Sequence, residues 1–156
     1  MKLKKGFTLI ELIVVIAIIA ILAVVLVPAM LGFVTDARIT QANSNAKNIH
    51  TAATAWVIQK SNDGETVTPN AVIVCSAENS LTGTMSAAND VDLSKSWGTS
   101  NFKGWWGFSI NSNGTGVQAA AYRKTSAIPT AEVKNYTKAE QKAMGQHIIG
   151  CFPSAG

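Results

Sequence analysis

The residue most suited to a specific chemical role is Glu11, a carboxylate at the start of an apolar run from Leu12 to Val34. A charge near the edge of such a segment costs about 2–3 kcal/mol on membrane-insertion scales, and intramembrane charges usually face a polar partner. The nearest basic side chain is Lys5. Glu11 therefore needs a partner that its own neighbourhood does not supply.

Cleavage of the peptide bond between Gly6 and Phe7 would create such a partner. The new amino group at Phe7 would stand four residues before Glu11, which is about one helical turn, or about 5.4 Å of axial rise. A neighbouring copy of the helix, shifted by about one turn, would set its amino group against this carboxylate. The spacing thus predicts a charge pair that fixes the axial register between subunits.

The apolar run is long enough to be a membrane span, because about 20 helical residues cross a hydrocarbon core of about 30 Å. No other stretch of the sequence qualifies. Lys2, Lys4 and Lys5 precede it, and by the positive-inside rule they belong on the cytoplasmic side. The rest of the chain is therefore expected outside.

Two simpler explanations of this segment are a secretory signal peptide and a plain single-pass anchor. A signal peptide also has a basic start, and Val27-Pro28-Ala29 is a candidate cleavage site. Its apolar region is ordinarily shorter, about 7–15 residues, and rarely begins with glutamate. A plain anchor leaves Glu11 unexplained.

The segment Lys5-Gly6-Phe7-Thr8-Leu9-Ile10-Glu11, with the apolar residues that follow it to Pro28, closely resembles the amino terminus of type IV pilins. In that family a prepilin peptidase cuts after the glycine, the new terminal phenylalanine is N-methylated, and the acid guides assembly. The resemblance gives these roles to Gly6, Phe7 and Glu11. Pro28 matches a helix-interrupting proline common in the family, whereas Ala20 stands where many members have glycine.

The resemblance implies a processed precursor in four parts. Residues 1–6 are a cleaved leader, 7–34 the transmembrane and filament-core half of a long helix, 35–60 its amphipathic half, and 61–156 a globular head. The implied function is a structural subunit of an extracellular pilus that serves adhesion, twitching motility or DNA uptake. A pseudopilin of a type II secretion or competence machine carries the same motif and is the main alternative.

The implied partners follow from such a filament. They are other copies of the chain in a helical homopolymer, the prepilin peptidase, an assembly platform with its ATPase motors, the cytoplasmic membrane that holds the precursor, and a surface or DNA ligand. Three of the thirteen basic residues lie in the leader, which leaves ten against nine acidic ones. The basic character of the chain therefore says little about nucleic acid.

Beyond Val34 the apolar residues recur at helical spacing up to Lys60. Steps of three and four residues join Ile39, Ala42, Ala46, Ile49, Ala53 and Trp56, which is one face of an amphipathic helix. We expect this helix to continue the apolar one, with a bend at Pro28, and to end near Gly64. A coiled coil with alanine at half of these positions would be weak. A sheet from the same chain is therefore expected to cover the stripe.

The remaining sequence predicts strands at 71–75, 105–110, 117–123 and 146–152, with a long loop at 76–100. The Asn113-Gly114 pair suits a hairpin turn. Thr137 and Glu140 have capping-box spacing and predict a short helix from Lys138 to Met144. Together these elements predict an α+β fold, in which one long amino-terminal helix packs against an antiparallel sheet of three or four strands.

The two cysteines, Cys75 and Cys151, lie in predicted strands of a region expected outside the cytoplasm. An even count in that compartment favours a disulfide, worth about 4–5 kcal/mol in the chain-entropy model. Two reduced, buried cysteines are the alternative. In the resembled family, a disulfide that ties the carboxy-terminal region to the sheet is common.

Sites for catalysis, metals or cofactors are not indicated, so we expect no enzyme. His50 and His147 lack zinc-site spacing, and Asp90 and Asp92 lack the glycine and glutamate of an EF-hand. There is no phosphate-binding loop with a lysine, which leaves ATP hydrolysis to partners.

The densest aromatic cluster in the sequence is flanked by Lys95 and Lys103. It is either an adhesive or nucleotide-stacking surface or part of the core, and alternation along a strand favours a core in which Trp106, Phe108 and Ile110 face the helix. Its members are Trp97, Phe102, Trp105, Trp106 and Phe108.

Overall fold

A computed structural model describes residues 6–85, 90–97 and 102–153. The helix α1 extends over Leu9–Asn62, close to the predicted bounds, with Pro28 in its interior. The chain divides after Asp36 into two units, and α1 contributes to both. In the first unit, α1 is an apolar helix without a covering layer. In the second unit, Ala37–Gly156, α1 packs against a sheet.

The sheet has six strands, all antiparallel, in the order β3-β2-β1-β4-β5-β6. The predicted α+β class is thereby confirmed, and all four predicted strands are present. The strands are β1 Val72–Cys75, β2 Thr82–Met85, β3 Asp90–Asp92, β4 Trp105–Ile110, β5 Val117–Arg123 and β6 Gly150–Phe152.

The long loop predicted at 76–100 is wrong in part. It contains β2 and β3, which extend the sheet beyond β1, and a single helical turn, α2, at Ser94–Trp97. These strands have four and three residues, and Thr, Gly and Asp fill most of their positions. Strands so short and polar show no alternation that could separate them from a loop. Residues 86–89 and 98–100 of this region lie outside the described part of the chain.

The helical stripe predicted for the second half of α1 is confirmed. Its six residues, from Ile39 to Trp56, are all buried, and Ala52 and Val57 widen the buried face. All of the six except Ile39 pack, together with Val57, against the face of the sheet that carries Ile73, Trp106 and Phe108. The helix ends as predicted, since Gly64 takes a positive φ of 75° and the N–H of Glu65 donates to the carbonyl of Lys60 at 2.9 Å.

A second core covers the opposite face of the sheet. The carboxy-terminal segment contributes Val133, Tyr136 and Ile149, and β5 and β6 contribute Ala121 and Cys151. Neighbouring residues of a strand point to opposite faces, and Ala120 accordingly belongs to the first core while Ala121 belongs to the second. The sheet is therefore covered on both sides, by α1 and by the carboxy-terminal segment.

The predicted capping box at Thr137 is confirmed and begins α3, Lys138–Ala143. The N–H and Oγ1–H of Thr137 donate to Glu140 Oε2 at 2.7 and 2.9 Å, and these bonds lower the pKa of that carboxyl group. Gly145 follows with a φ of 61° and starts a 3₁₀ turn to His147. Because of this turn, β6 begins only at Gly150, later than predicted.

The edge strand β6 docks directly on the backbone of α1. A Cβ at Gly150 would lie 2.0 Å from the carbonyl oxygen of Ala42, so only glycine fits. Next to this contact, Asn43 Oδ1 accepts the backbone N–H of Cys151 at 3.0 Å and the Nε2–H of Gln141 at 2.6 Å. Gln141 is 1% exposed. One side chain of α1 thus binds the edge strand and α3 together.

Candidate assembly site at the amino terminus

The bond predicted to be cleaved lies in an accessible stretch of backbone. Residues 6–8 precede the first turn of α1, and Gly6 and Phe7 are both exposed, Phe7 by 88%. A Cβ at Gly6 would meet no atom within 4 Å. The peptide bond between Gly6 and Phe7 is therefore open to an enzyme without unwinding of the helix.

Glu11 lies in the first turn of α1, where it completes a capping box with Thr8. The backbone N–H and the Oγ1–H of Thr8 donate to Glu11 Oε2 at 2.8 and 2.6 Å, and the N–H of Glu11 returns to Thr8 Oγ1 at 3.4 Å. Within the described residues, Oε1 of this carboxylate has no partner. The carboxylate is thus held in position with one oxygen still available.

Thr8 was missed in the sequence analysis as a residue of this site. The signal is the Thr-x-x-Glu spacing of residues 8–11, the same pattern that identified Thr137 and Glu140. This spacing was not used for Thr8 because Glu11 was interpreted only as a partner for a neighbouring subunit. The same carboxylate also caps its own helix.

The part of α1 that follows Glu11 carries apolar side chains on all of its faces. An 18-residue window of α1 has a mean hydropathy of 3.4, and none of it is buried within the chain. Ile10, Val24 and Phe33 are each more than two thirds exposed. By length and composition this segment is able to cross a membrane, and so large an apolar surface needs lipid or other helices to cover it.

Pro28 lies in this segment and is exposed. Its ring nitrogen has no hydrogen to donate to the carbonyl of Val24, so one intrahelical bond is lost. A bend at this position stays a prediction.

The predicted disulfide between Cys75 and Cys151 is not formed in this fold. Cys75 lies on β1 and Cys151 on β6, and β4 and β5 separate these strands. Three strand spacings are about 14 Å, whereas a disulfide needs Cα atoms within about 7 Å. The two residues also face opposite sides of the sheet, Cys75 in the core under α1 and Cys151 in the other.

Each thiol has its own partners. Cys75 Sγ accepts the backbone N–H of Trp106 at 3.3 Å, and burial raises the pKa of this thiol. Cys151 Sγ accepts the N–H of Tyr136 at 3.1 Å and donates to its carbonyl at 3.3 Å. These are the contacts of reduced, buried cysteines, the alternative that the sequence left open.

Two of the residues considered as metal ligands, His50 and Asp92, make other contacts. His50 Nε2 is 3.2 Å from the carbonyl oxygen of Val117, and its ring meets Phe152 edge to face. Asp92 Oδ1 accepts the backbone N–H of Ser94 at the start of α2. Among the residues whose placement is described, no three His, Cys, Asp or Glu side chains form a group able to hold a metal. The side chain of Asp90 lies outside that part of the chain.

The aromatic cluster divides between the core and the surface. Trp106 and Phe108 are fully buried and stacked, with ring centroids 5.7 Å apart, and they face α1 together with Ile110, as predicted. Phe102 is buried, whereas Trp97 and Trp105 are half-buried. The side chain of Lys95 lies outside the described part.

Comparison with known families finds one match, to the prokaryotic N-terminal methylation motif, over residues 1–27. No curated protein and no solved structure matches the chain. The matched range contains Gly6, Phe7, Thr8 and Glu11 together with most of the exposed apolar helix. The motif implies that a prepilin peptidase processes the chain and that it is assembled in a pilus system.

Proposed function

Because its amino-terminal motif marks the chain as a type IV prepilin-like protein, we propose that it is a pilin, the structural subunit of an extracellular type IV pilus. The precursor would be held in the cytoplasmic membrane by α1. Removal of residues 1–6 would leave a mature chain that begins at an N-methylated Phe7. The family to which the motif belongs is structural, and the proposed activity is assembly rather than catalysis.

One observation carries this proposal. The carboxylate of Glu11, fixed by Thr8, lies at the start of a helix whose apolar surface is not covered by the rest of the chain. In a filament, neighbouring helices would cover that surface between Phe7 and Val34. Helix contacts would replace lipid contacts, so the apolar side chains would not meet water at any stage. Helix packing in such an environment needs a polar contact to fix its register.

The proposed contact is between Glu11 and the amino group of Phe7 in an adjoining subunit. An unpaired buried charge costs several kcal/mol, and removing one member of a buried pair costs about 3–5 kcal/mol. Oε1 of Glu11 is the oxygen that would receive the amino group, because Thr8 occupies Oε2. The capping box would thus pre-position the carboxylate for its partner.

A pseudopilin of a secretion or DNA-uptake machine is the second candidate, since it carries the same motif. The two cysteines, which lie on strands separated by β4 and β5, do not decide between the two candidates. Adhesion, twitching motility and DNA uptake are all compatible with the pilin proposal. Polymerisation is the property that they share.

The test is intact mass and amino-terminal sequencing of the protein sheared from the surface of its native cells. We expect a chain that begins at N-methylated Phe7 and whose mass shows both cysteines to be reduced. A long sheared fibre favours a pilin, whereas processed protein that shearing does not release favours a pseudopilin. A chain that begins at Met1 and stays in the membrane would contradict both and favour a plain anchor.

A further inference from the structure

A cleft of about 750 Å³ opens on the surface of the second unit. Residues of α1, the carboxyl end of β5 and the segments that precede β4 and β6 line it. Its volume lies in the range of about 300–1,000 Å³ that is typical of small-molecule sites. No residue of the amino-terminal assembly site lines the cleft. The proposed assembly role therefore does not explain which side chains line it.

Three cationic side chains, Arg38, Lys103 and Lys124, line this cleft. All three are exposed, and none of them forms an ion pair with another residue of the described part of the chain. Among the residues that the structure describes, none that lines the cleft is acidic. Charges of one sign around a concave surface attract an anion, and a guanidinium group binds a carboxylate through two parallel hydrogen bonds.

Uncharged hydrogen-bonding groups stand beside these cations. Gln41, Asn48 and Gln146 line the cleft with exposed side chains, and their carboxamides have no hydrogen-bond partner in the described residues. Each carboxamide both donates and accepts, as a hydroxyl group does. A ligand with several hydroxyl groups could both donate to these carboxamides and accept from them, whereas an inorganic anion could only accept.

One wall of the cleft is aromatic. Trp97 meets Phe102 edge to face at 5.2 Å, and Phe102 meets Tyr122 at 6.0 Å. The hydroxyl of Tyr122 donates to the carbonyl of Lys103 at 2.7 Å, which fixes this wall. Phe102 and Tyr122 are less than 10% exposed, whereas Trp97 is half-buried and is the most exposed of the three.

This arrangement distinguishes a sugar from a nucleic acid. Proteins that bind single strands stack successive bases on several exposed rings along a basic groove. Here one ring, that of the half-buried Trp97, lines the cleft together with polar amides. A single flat apolar surface of this kind fits the C–H face of one sugar ring.

We propose that the cleft binds an acidic saccharide, that is, a sugar that bears a carboxylate. Arg38 and Lys124 would hold the carboxylate, Gln41 and Gln146 the hydroxyl groups, and Trp97 one ring face. All these residues belong to the unit Ala37–Gly156. The inference therefore does not depend on polymerisation. Saccharide binding by this unit can be tested whether or not the chain forms a pilus.

The experiment is isothermal titration of the full chain in nonionic detergent with tetragalacturonate, and with the neutral maltotetraose for comparison. We expect the acidic tetrasaccharide to bind at least tenfold more tightly. Arg38→Gln and Lys124→Gln should each weaken it about tenfold. The matched control is Lys134→Gln, which removes a charge that lies over the ring of Tyr136 and outside the cleft. It should bind as the unaltered chain does.

Amide variants separate sugar recognition from simple attraction of anions. Gln41→Ala with Gln146→Ala should weaken tetragalacturonate about tenfold and leave competition by sulfate unchanged. The proposal is overturned by absent binding, by equal binding of maltotetraose, by an equal loss in Lys134→Gln, or by sulfate displacing the sugar at equal concentration. Tighter binding of a single-stranded octadeoxynucleotide would also overturn it and assign the cleft to nucleic acid.

Discussion

At the scale of single residues, Glu11 has a capping role that the structure shows and a register role that we propose. In the first turn of a helix its carboxylate accepts the N–H and the hydroxyl of Thr8, which satisfies a free donor at the helix start. The same position leaves Oε1 directed to no group of the described chain. Capping acts within one helix and the proposed register contact acts between subunits, so the two are separable by mutation.

Glu11→Ala should be cleaved and inserted normally but should reduce the amount of sheared filament at least tenfold. The reason is that the amino group of the neighbouring Phe7 would be buried without a counter-charge, at about 3–5 kcal/mol. Immunoblots of the sheared and membrane fractions measure this ratio. Glu11→Gln is the control, because it keeps a capping acceptor and the side-chain size. Filament yield restored in Glu11→Gln would contradict a charge pair and leave only a capping role.

At the scale of elements, the capping box of α3 ties local stability to pH. Hydrogen bonds from Thr137 lower the pKa of Glu140 in the folded chain. A lowered folded pKa means that ionised Glu140 stabilises the fold at pH values above its unfolded pKa, about 4.3. That contribution is lost as the pH falls through the folded pKa.

Glu140→Gln should therefore be less stable than the unaltered chain at pH 7 and equally stable at strongly acid pH. Urea unfolding of the full chain in nonionic detergent, followed by tryptophan fluorescence from pH 2 to 7, measures the difference. Lys138→Gln is a control on the same helix that lacks the capping geometry. A difference independent of pH would show that packing and not the charge of Glu140 is responsible.

The elements that the sequence predicted well are those whose pattern is long. The stripe from Ile39 to Trp56 repeats over five steps, and β4 and β5 are the longest strands, with six and seven residues. The strands β2 and β3 were missed because their pairing with the sheet edge, rather than their composition, makes them strands. The cleft was missed for a similar reason, since five separate segments supply its lining.

At the scale of the whole second unit, one close contact joins the sheet to the helix. Gly150 brings β6 against the backbone of α1 at Ala42, and Asn43 completes the joint by binding Cys151 and Gln141. No side chain can enter this contact without displacing the helix. The sequence does not predict this contact, because no local pattern distinguishes Gly150 from any other small residue of a short strand.

Gly150→Ala should lower the free energy of unfolding by about 3 kcal/mol or more, at the upper end of overpacking effects, because its Cβ would meet backbone that cannot rotate away. The midpoint of urea unfolding of the full chain in nonionic detergent is the measurement. Gly116→Ala is the matched control, since its Cβ would meet only the side chain of Asn111 at 3.4 Å. Equal midpoints for the two variants would contradict the close approach of β6 and α1.

The order of strands also decides the state of the cysteines. With β4 and β5 between them, and with one thiol on each face of the sheet, Cys75 and Cys151 cannot meet unless β6 leaves its place beside β5. Export to an oxidising compartment favours a disulfide only where geometry permits it, and burial of both thiols slows their access to oxidants.

The chain taken from sheared material and unfolded without reductant should therefore add two alkyl groups on treatment with iodoacetamide. A sample reduced before unfolding is the control and should give the same mass. The thermal midpoint of the folded chain should not change when reductant is added, because no cross-link restricts its unfolded state. A mass two units low, with no alkylation and a midpoint that falls on reduction, would mean that the mature protein pairs its strands in a different order from β3-β2-β1-β4-β5-β6.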